Sequence, residues 1–142
     1  MAILLDTNVI SETFKPRPES AVASWLVSIP IDQLFVSSIT KAELLYGIAL
    51  LPDGKRKQAL ADVVQEFLEN RLANPIASFD EYDAVAYARI SAHRRKLGRK
   101  IREFDAQIAA IATTRGLTVA TRNVSDFTDC GIAIINPWEP AS

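Results

Sequence analysis

The sequence predicts an α/β fold: a three-layer α/β/α sandwich around a mostly parallel sheet. Two observations predict it. Short apolar runs, at Ile3–Leu5, Leu34–Val36, Leu117–Ala120 and Ile132–Ile135, are too short for helices and carry few polar residues at alternate positions, as strands buried on both faces do. Between them lie longer segments whose apolar residues recur every three or four positions, the helical period. At 142 residues, with 49% hydrophobic and 23% charged residues, the chain reads as one domain over 1–142 with a sizeable core.

Each element has its own signal. Asp6-Thr7-Asn8 closes the first strand as a turn or cap cluster. Val22, Trp25, Leu26 and Ile29 share a helical face that Pro30 ends. Ser37–Lys41 opens a helix running to about Leu50, and Pro52-Asp53-Gly54 is a turn. Leu60, Val63, Val64, Phe67 and Leu68 make an amphipathic stripe, and Ile76–Phe79 reads as a short strand. Asp80 or Ser78 caps the next helix, in which Tyr82, Val85, Ala86, Ile90 and Leu97 recur up to Gly98. Glu103–Thr114 is an Ala-rich helix closed by Gly116.

Composition excludes several classes. The longest uncharged stretch, Ser20–Ile31, holds Pro30 and cannot span a bilayer. No basic region precedes Asp6, so no secretory signal is expected. The single cysteine, Cys130, permits no internal disulfide or Cys-rich metal site, and a reducing cytoplasm is the expected setting. A net charge of −1 is silent about nucleic acid, because distribution matters more than the sum.

Three carboxylates stand where apolar surroundings disfavour them. Asp6 follows the first strand at its carboxyl end, where open α/β sheets place their sites. Glu43 precedes Leu44-Leu45-Tyr46 in a nearly all-apolar helix, and Asp105 shares a stripe with Ile108, Ala109 and Ala112. Each has a plainer reading: Asp6 as a helix cap, Thr40-x-x-Glu43 as a capping box, and Asp105 as a first-turn acid on the helix dipole. Gathered together without a cation, one of them would have to stay protonated. A hard divalent cation such as Mg²⁺ or Mn²⁺ resolves that conflict through oxygen ligands. Asn123 and Asp126 follow the strand Leu117–Ala120 and read either as turn residues or as further oxygen donors.

Four segments then form one ordered set: Leu-Leu-Asp6-Thr-Asn-Val-Ile, Ser-Ile-Thr-Lys-Ala-Glu43-Leu-Leu-Tyr-Gly, Phe-Asp105-Ala-Gln-Ile-Ala-Ala and Val-Ala-Thr121-Arg-Asn123-Val-Ser-Asp126-Phe. In these the whole chain resembles the PIN-domain family, specifically the VapC-type ribonuclease toxins and their FitB-like relatives. The resemblance implies endonucleolytic cleavage of RNA at a Mg²⁺ or Mn²⁺ site, and inhibition by a cognate VapB-like antitoxin encoded beside the toxin. It implies that Asp6, Glu43 and Asp105 are the catalytic, metal-holding acids. Asn123 falls where many members carry a fourth acid, which leaves one metal or two open. Thr7 and Thr121 flank the site, either orienting ligands or serving as ordinary cap and turn hydroxyls. A homodimer, or a toxin–antitoxin hetero-oligomer, is the expected assembly, with DNA reached only through the antitoxin.

The segment His93–Arg102 holds six of the 16 Lys and Arg residues and ends just before Asp105. Arg94, Arg95, Arg99, Lys100 and Arg102, with Arg89, are the candidate RNA-backbone contacts; the alternative is a solvated helix end. His93 reads as an ordinary surface histidine. Apolar residues around Trp25–Leu26 and Leu44–Leu50 would serve the antitoxin or self-association. Two other readings stay open. One is a haloacid-dehalogenase-like phosphatase with Asp6 as nucleophile, although Asn8 stands where that chemistry wants a second acid. The other is a non-catalytic module that only receives an antitoxin in a DNA-binding regulatory complex.

Overall fold

The computed structural model describes residues 1–139; residues 140–142, the end of the expected 1–142 domain, lie outside them. Four parallel strands, β1 (Ile3–Leu5), β2 (Leu34–Phe35), β3 (Thr118–Ala120) and β4 (Ile134–Ile135), form one sheet in the order β2-β1-β3-β4. Register pairs Ile3 with Leu34 on one side of β1, and Ile3 with Thr118 on the other. Six α-helices join them: α1 (Thr7–Thr13), α2 (Ser20–Ser28), α3 (Ser38–Ala49), α4 (Lys55–Glu66), α5 (Glu81–Lys96) and α6 (Glu103–Arg115).

Alternation along β1 divides the core into two layers. Leu4 packs with Ala86 and Ile90 of α5 and with the Ile108–Ala112 stretch of α6. Ile3 and Leu5 pack on the opposite side with Val9 and Ile10 of α1, Val22 of α2, Leu44 and Ile48 of α3 and Val64 of α4. Strands buried on both faces explain why their sequences are continuously apolar. The expected three-layer α/β/α architecture is therefore present.

Three local expectations are corrected. Ile76–Phe79 forms no strand; one parallel bridge, Ser37 to Ala77, is all the pairing found there. The α4 stripe passes at Phe67–Arg71 into a π-helical turn. The capping box at Thr40–Glu43 does not exist: Ser37 caps α3 by accepting the Thr40 N–H, which leaves the Glu43 carboxylate free for the site. Asp80, by contrast, caps α5 in a full capping box with Asp83. Asp83 is buried and is gripped by the Thr114 hydroxyl and the Arg115 guanidinium, which ties α5 to α6. Gly116 ends α6 at φ 64, a left-handed conformation that favours glycine.

Candidate active site

The strand order places a topological switch between β1 and β3, because the chain leaves β1 towards β2 and later returns on its other side. Crevices in open α/β sheets lie at the carboxyl ends of strands at such a point. Asp6 follows β1 there and Thr121 follows β3. The Asp6 N–H donates to the Ala120 carbonyl at 2.9 Å. The Thr121 hydroxyl donates to Asp6 Oδ2 at 2.8 Å. Asp6 also caps α1, its Oδ1 accepting the Thr7 N–H at 2.8 Å. One side chain thus both caps α1 and stands at the crevice.

α3 and α6 bring the other two acids. The Thr7 hydroxyl donates to Glu43 Oε1 at 2.8 Å and lies 3.1 Å from the Thr40 hydroxyl. Asp105, in the first turn of α6, is 5% exposed and accepts from Arg102 Nε at 3.1 Å. Burial pushes Asp6 from the ordinary 3.8 up to about 6; hydrogen bonds from Thr121 and Thr7 oppose the shift, and the charges of Asp105 and Glu43 add to it. The three acids therefore share one electrostatic neighbourhood.

The Thr7 and Thr121 hydroxyls each donate to a candidate-site carboxylate, Glu43 and Asp6 respectively. Asn123 is exposed beyond Thr121, whose hydroxyl accepts its N–H at 3.0 Å. Asp126 closes a short 3-10 turn, Val124–Asp126, and its charge reaches Arg102. Two residues that the sequence presents only as cap or turn residues also join the candidate site. Thr40 joins the Thr7–Glu43 hydrogen-bond chain. Asn8 spans α1 and β3, donating to the Thr121 hydroxyl at 3.4 Å and accepting the Arg122 N–H at 3.3 Å. Their signal was present, in polar residues on otherwise apolar helix faces, but a cap reading accounts for it equally well.

The basic segment is divided. Arg95, Lys100 and Arg102 are exposed, as are Arg89 and His93. Arg94 is not on the surface: it is 5% exposed, and it is removed from the RNA patch. Its Nε donates to the Arg99 carbonyl at 2.7 Å, and its Nη1 to the carbonyls of Thr128 at 2.6 Å and Ser125 at 3.3 Å. Arg99 is largely engaged as well, with Nη1 on Asp129 at 2.6 Å and Nη2 on the Thr128 hydroxyl at 2.7 Å. Both arginines hold the segment carrying Asp126 against the end of α5. Arg94→Met leaves those carbonyls without their charged donor and is expected to cost about 2–3 kcal/mol. Arg95→Met, at the exposed neighbour, should stay within about 0.5 kcal/mol. Chemical denaturation of the two variants checks this, and equal midpoints would contradict it.

The donor set of carboxylates and hydroxyls is all oxygen, which suits a hard divalent cation. Among the described residues, no three His, Cys, Asp or Glu side chains form a ready-made cation cage. The acids meet through their fields, and a cationic side chain already sits on one of them.

The sequence profile described as PIN domain matches residues 3–129. The chain belongs to the PIN domain family. The toxin FitB of Neisseria gonorrhoeae is 42% identical over 136 residues, covering 96% of this chain and 98% of FitB. The VapC ribonuclease Y4jK of Sinorhizobium fredii is 42% identical over 139 residues, covering 98% and 99% of the two chains. Among solved structures, FitAB bound to an IR36 DNA fragment superposes with a TM-score of 0.93 at 39% identity, covering 99% of this chain and 98% of that one. Within a PIN domain the phosphatase reading of Asp6 falls away, and Asn8 has the bridging role described above.

Proposed function

We propose that this PIN domain is the toxin of a type II toxin–antitoxin pair, an endoribonuclease that depends on Mg²⁺ or Mn²⁺. The observation that carries the reading is Asp6: a buried carboxylate at the switch point, lifted to about 6 with Asp105 and Glu43 adding to the shift. Carboxylates shifted this way by burial and neighbouring acids, at a crevice, cluster at functional sites. The ribonuclease and toxin names of its relatives point the same way.

Asp6, Glu43 and Asp105 would hold the cation, with Asn123 and Asp126 beside them. Bound there, it would polarise the scissile phosphate and make a water acidic enough to attack phosphorus. Thr121 and Thr7 fix the Asp6 and Glu43 carboxylates through the hydroxyl bonds described above. Arg95, Lys100 and Arg102 offer positive charge to the RNA backbone on the Asp105 side. The test is incubation of antitoxin-free protein with a cellular RNA pool in Mg²⁺, Mn²⁺ or EDTA. Cutting only with metal supports the reading. Metal binding with no cutting would favour the non-catalytic, antitoxin-receiving module.

The antitoxin has a docking place. A groove of about 550 Å³ between α1, α3 and α4 is lined by Phe14, Leu44, Ile48, Leu60 and Val64, with Lys15 and Arg56 at its rim and Glu43 at its edge. Its shape and apolar lining suit an amphipathic helix whose neighbouring basic side chain reaches Glu43. On α3, Leu44 and Ile48 line the groove, while Leu45, Tyr46 and Leu50 are exposed. Gly47 lines the groove, and a Cβ there would meet nothing within 4 Å. Gly47→Phe is expected to leave the melting temperature near that of the wild type, because the helical gain over Gly is smaller for an aromatic residue than the about 0.5–1 kcal/mol of Ala. The same variant should weaken antitoxin binding at least tenfold by calorimetry. Unchanged affinity would place the antitoxin elsewhere.

A further inference from the structure

The three site acids differ in what already holds them. Thr121 and the Thr7 N–H hold Asp6, and the Thr7 hydroxyl holds Glu43. These donors are neutral and can keep their bonds while a carboxylate also binds a cation. Asp105 is different. Among the described residues, the side-chain partner of its carboxylate is a guanidinium, Arg102 Nε at 3.1 Å from Oδ2. The contact reaches from solvent into the site: the Arg102 side chain is 74% exposed and that of Asp105 is 7% exposed. The charges of Asp126 and Glu43 also act on Arg102, more weakly than that of Asp105. It is the N-cap residue of α6 yet makes no side-chain cap bond, so its side chain serves no helix-capping role.

We propose that Arg102 is a built-in counter-ion of the acidic site, competing with the divalent metal for Asp105. This rests on the metal-dependent reading above. A guanidinium on Oδ2 and a divalent cation on the same carboxylate repel each other, so each weakens the other's hold on Asp105. Without metal, Arg102 offsets the mutual repulsion of the acids. When metal binds, the guanidinium leaves Asp105 and swings out on its flexible stem, where it meets RNA phosphate at the mouth of the site. Arg102 is thus a positioning residue that couples the charge state of the site to the substrate backbone.

Calorimetric titration of the antitoxin-free protein with Mn²⁺, in the absence of RNA, tests this through wild type, Arg102→Gln, Arg102→Lys and Asp105→Asn. Arg102→Gln is expected to bind Mn²⁺ roughly fivefold more tightly, the change an ion pair of this exposure supports. Arg102→Lys should fall between, and Asp105→Asn should lose most of the affinity. A purely structural Arg102 could not raise metal affinity on removal. A circular dichroism spectrum of Arg102→Gln that matches the wild type confirms that the fold is kept. Equal or weaker Mn²⁺ binding by Arg102→Gln overturns the competition while leaving the metal site standing. No Mn²⁺ binding by any of the four proteins overturns both the competition and the metal-dependent reading.

Discussion

Asp105→Asn is expected to abolish metal-dependent RNA cleavage while leaving the chain folded. Asp105 is 5% exposed on the first turn of α6, and its carboxylate is held by Arg102. Asn has the same shape and keeps one oxygen to accept the Arg102 bond, so the variant fits the same buried position. What is lost is the negative charge that would face the metal. Removing even an outer partner of a metal ligand costs roughly 10–100-fold in activity. Loss of a charged ligand should exceed that and put cutting below detection. Asp6→Asn should behave alike, since it removes the acid at the switch point. Circular dichroism shows whether each variant is folded, and gel analysis of RNA fragments reads the activity. Cutting within threefold of wild type by either variant would remove that residue from the mechanism.

The second large effect is on stability and comes from the same Asp6. Its carboxyl sits at about 6 in the folded chain against 3.8 ordinarily, so the folded state holds this proton more tightly than the unfolded one. Stability from this group is fully present below about pH 4 and is lost as pH rises through 6. A shift of about two pKa units corresponds to about 3 kcal/mol. Metal-free wild type should therefore weaken by about that amount between pH 4 and 7. Glu12 and Asp83 act with the opposite sign and in another window. Glu12 is lowered chiefly by the Lys15 hydrogen bond. Asp83 is lowered because bonds from Thr114, the Asp80 N–H and Arg115 outweigh the burial that raises it. Their stability is lost only as pH falls below the ordinary carboxylate range. Denaturation of wild type and Asp6→Asn across pH 4.5–7.5, in EDTA, isolates the effect: the wild type should slope downward and the variant should not. Parallel curves would mean that Asp6 is not the strained group. Adding Mg²⁺ above pH 6 should restore the wild type, because a cation that binds only the folded state stabilises it.

Much of this was legible in the residues, for reasons that mark where legibility ends. The four strands were readable because burial on both faces makes them continuously apolar. Asp6 and Asp105 stood out because a carboxylate on an apolar stripe conflicts with its surroundings. Ile76–Phe79 misled because an apolar run reports burial, and pairing depends on neighbours that sequence does not reveal. Glu43 could be read as a capping partner of Thr40 until Ser37 proved to be the cap one turn earlier. Arg94 was unreadable in principle. Its acceptors are backbone carbonyls of Ser125 and Thr128, which any side chain in that loop would supply, so no local pattern distinguishes it from the exposed Arg95. Arg102 carried the right charge near the right acid, but its direct hold on Asp105 became visible only in three dimensions.

The central claim is hydrolysis by a water at a cation held by Asp6, Glu43 and Asp105. The chemistry of the cut ends tests it most directly. RNA fragments made by antitoxin-free protein in Mg²⁺ or Mn²⁺ should carry 5′-phosphate and 3′-hydroxyl termini, because attack by water needs no participation of the ribose 2′-hydroxyl. Fragments ending in a 2′,3′-cyclic phosphate, formed equally well in EDTA, would contradict the account.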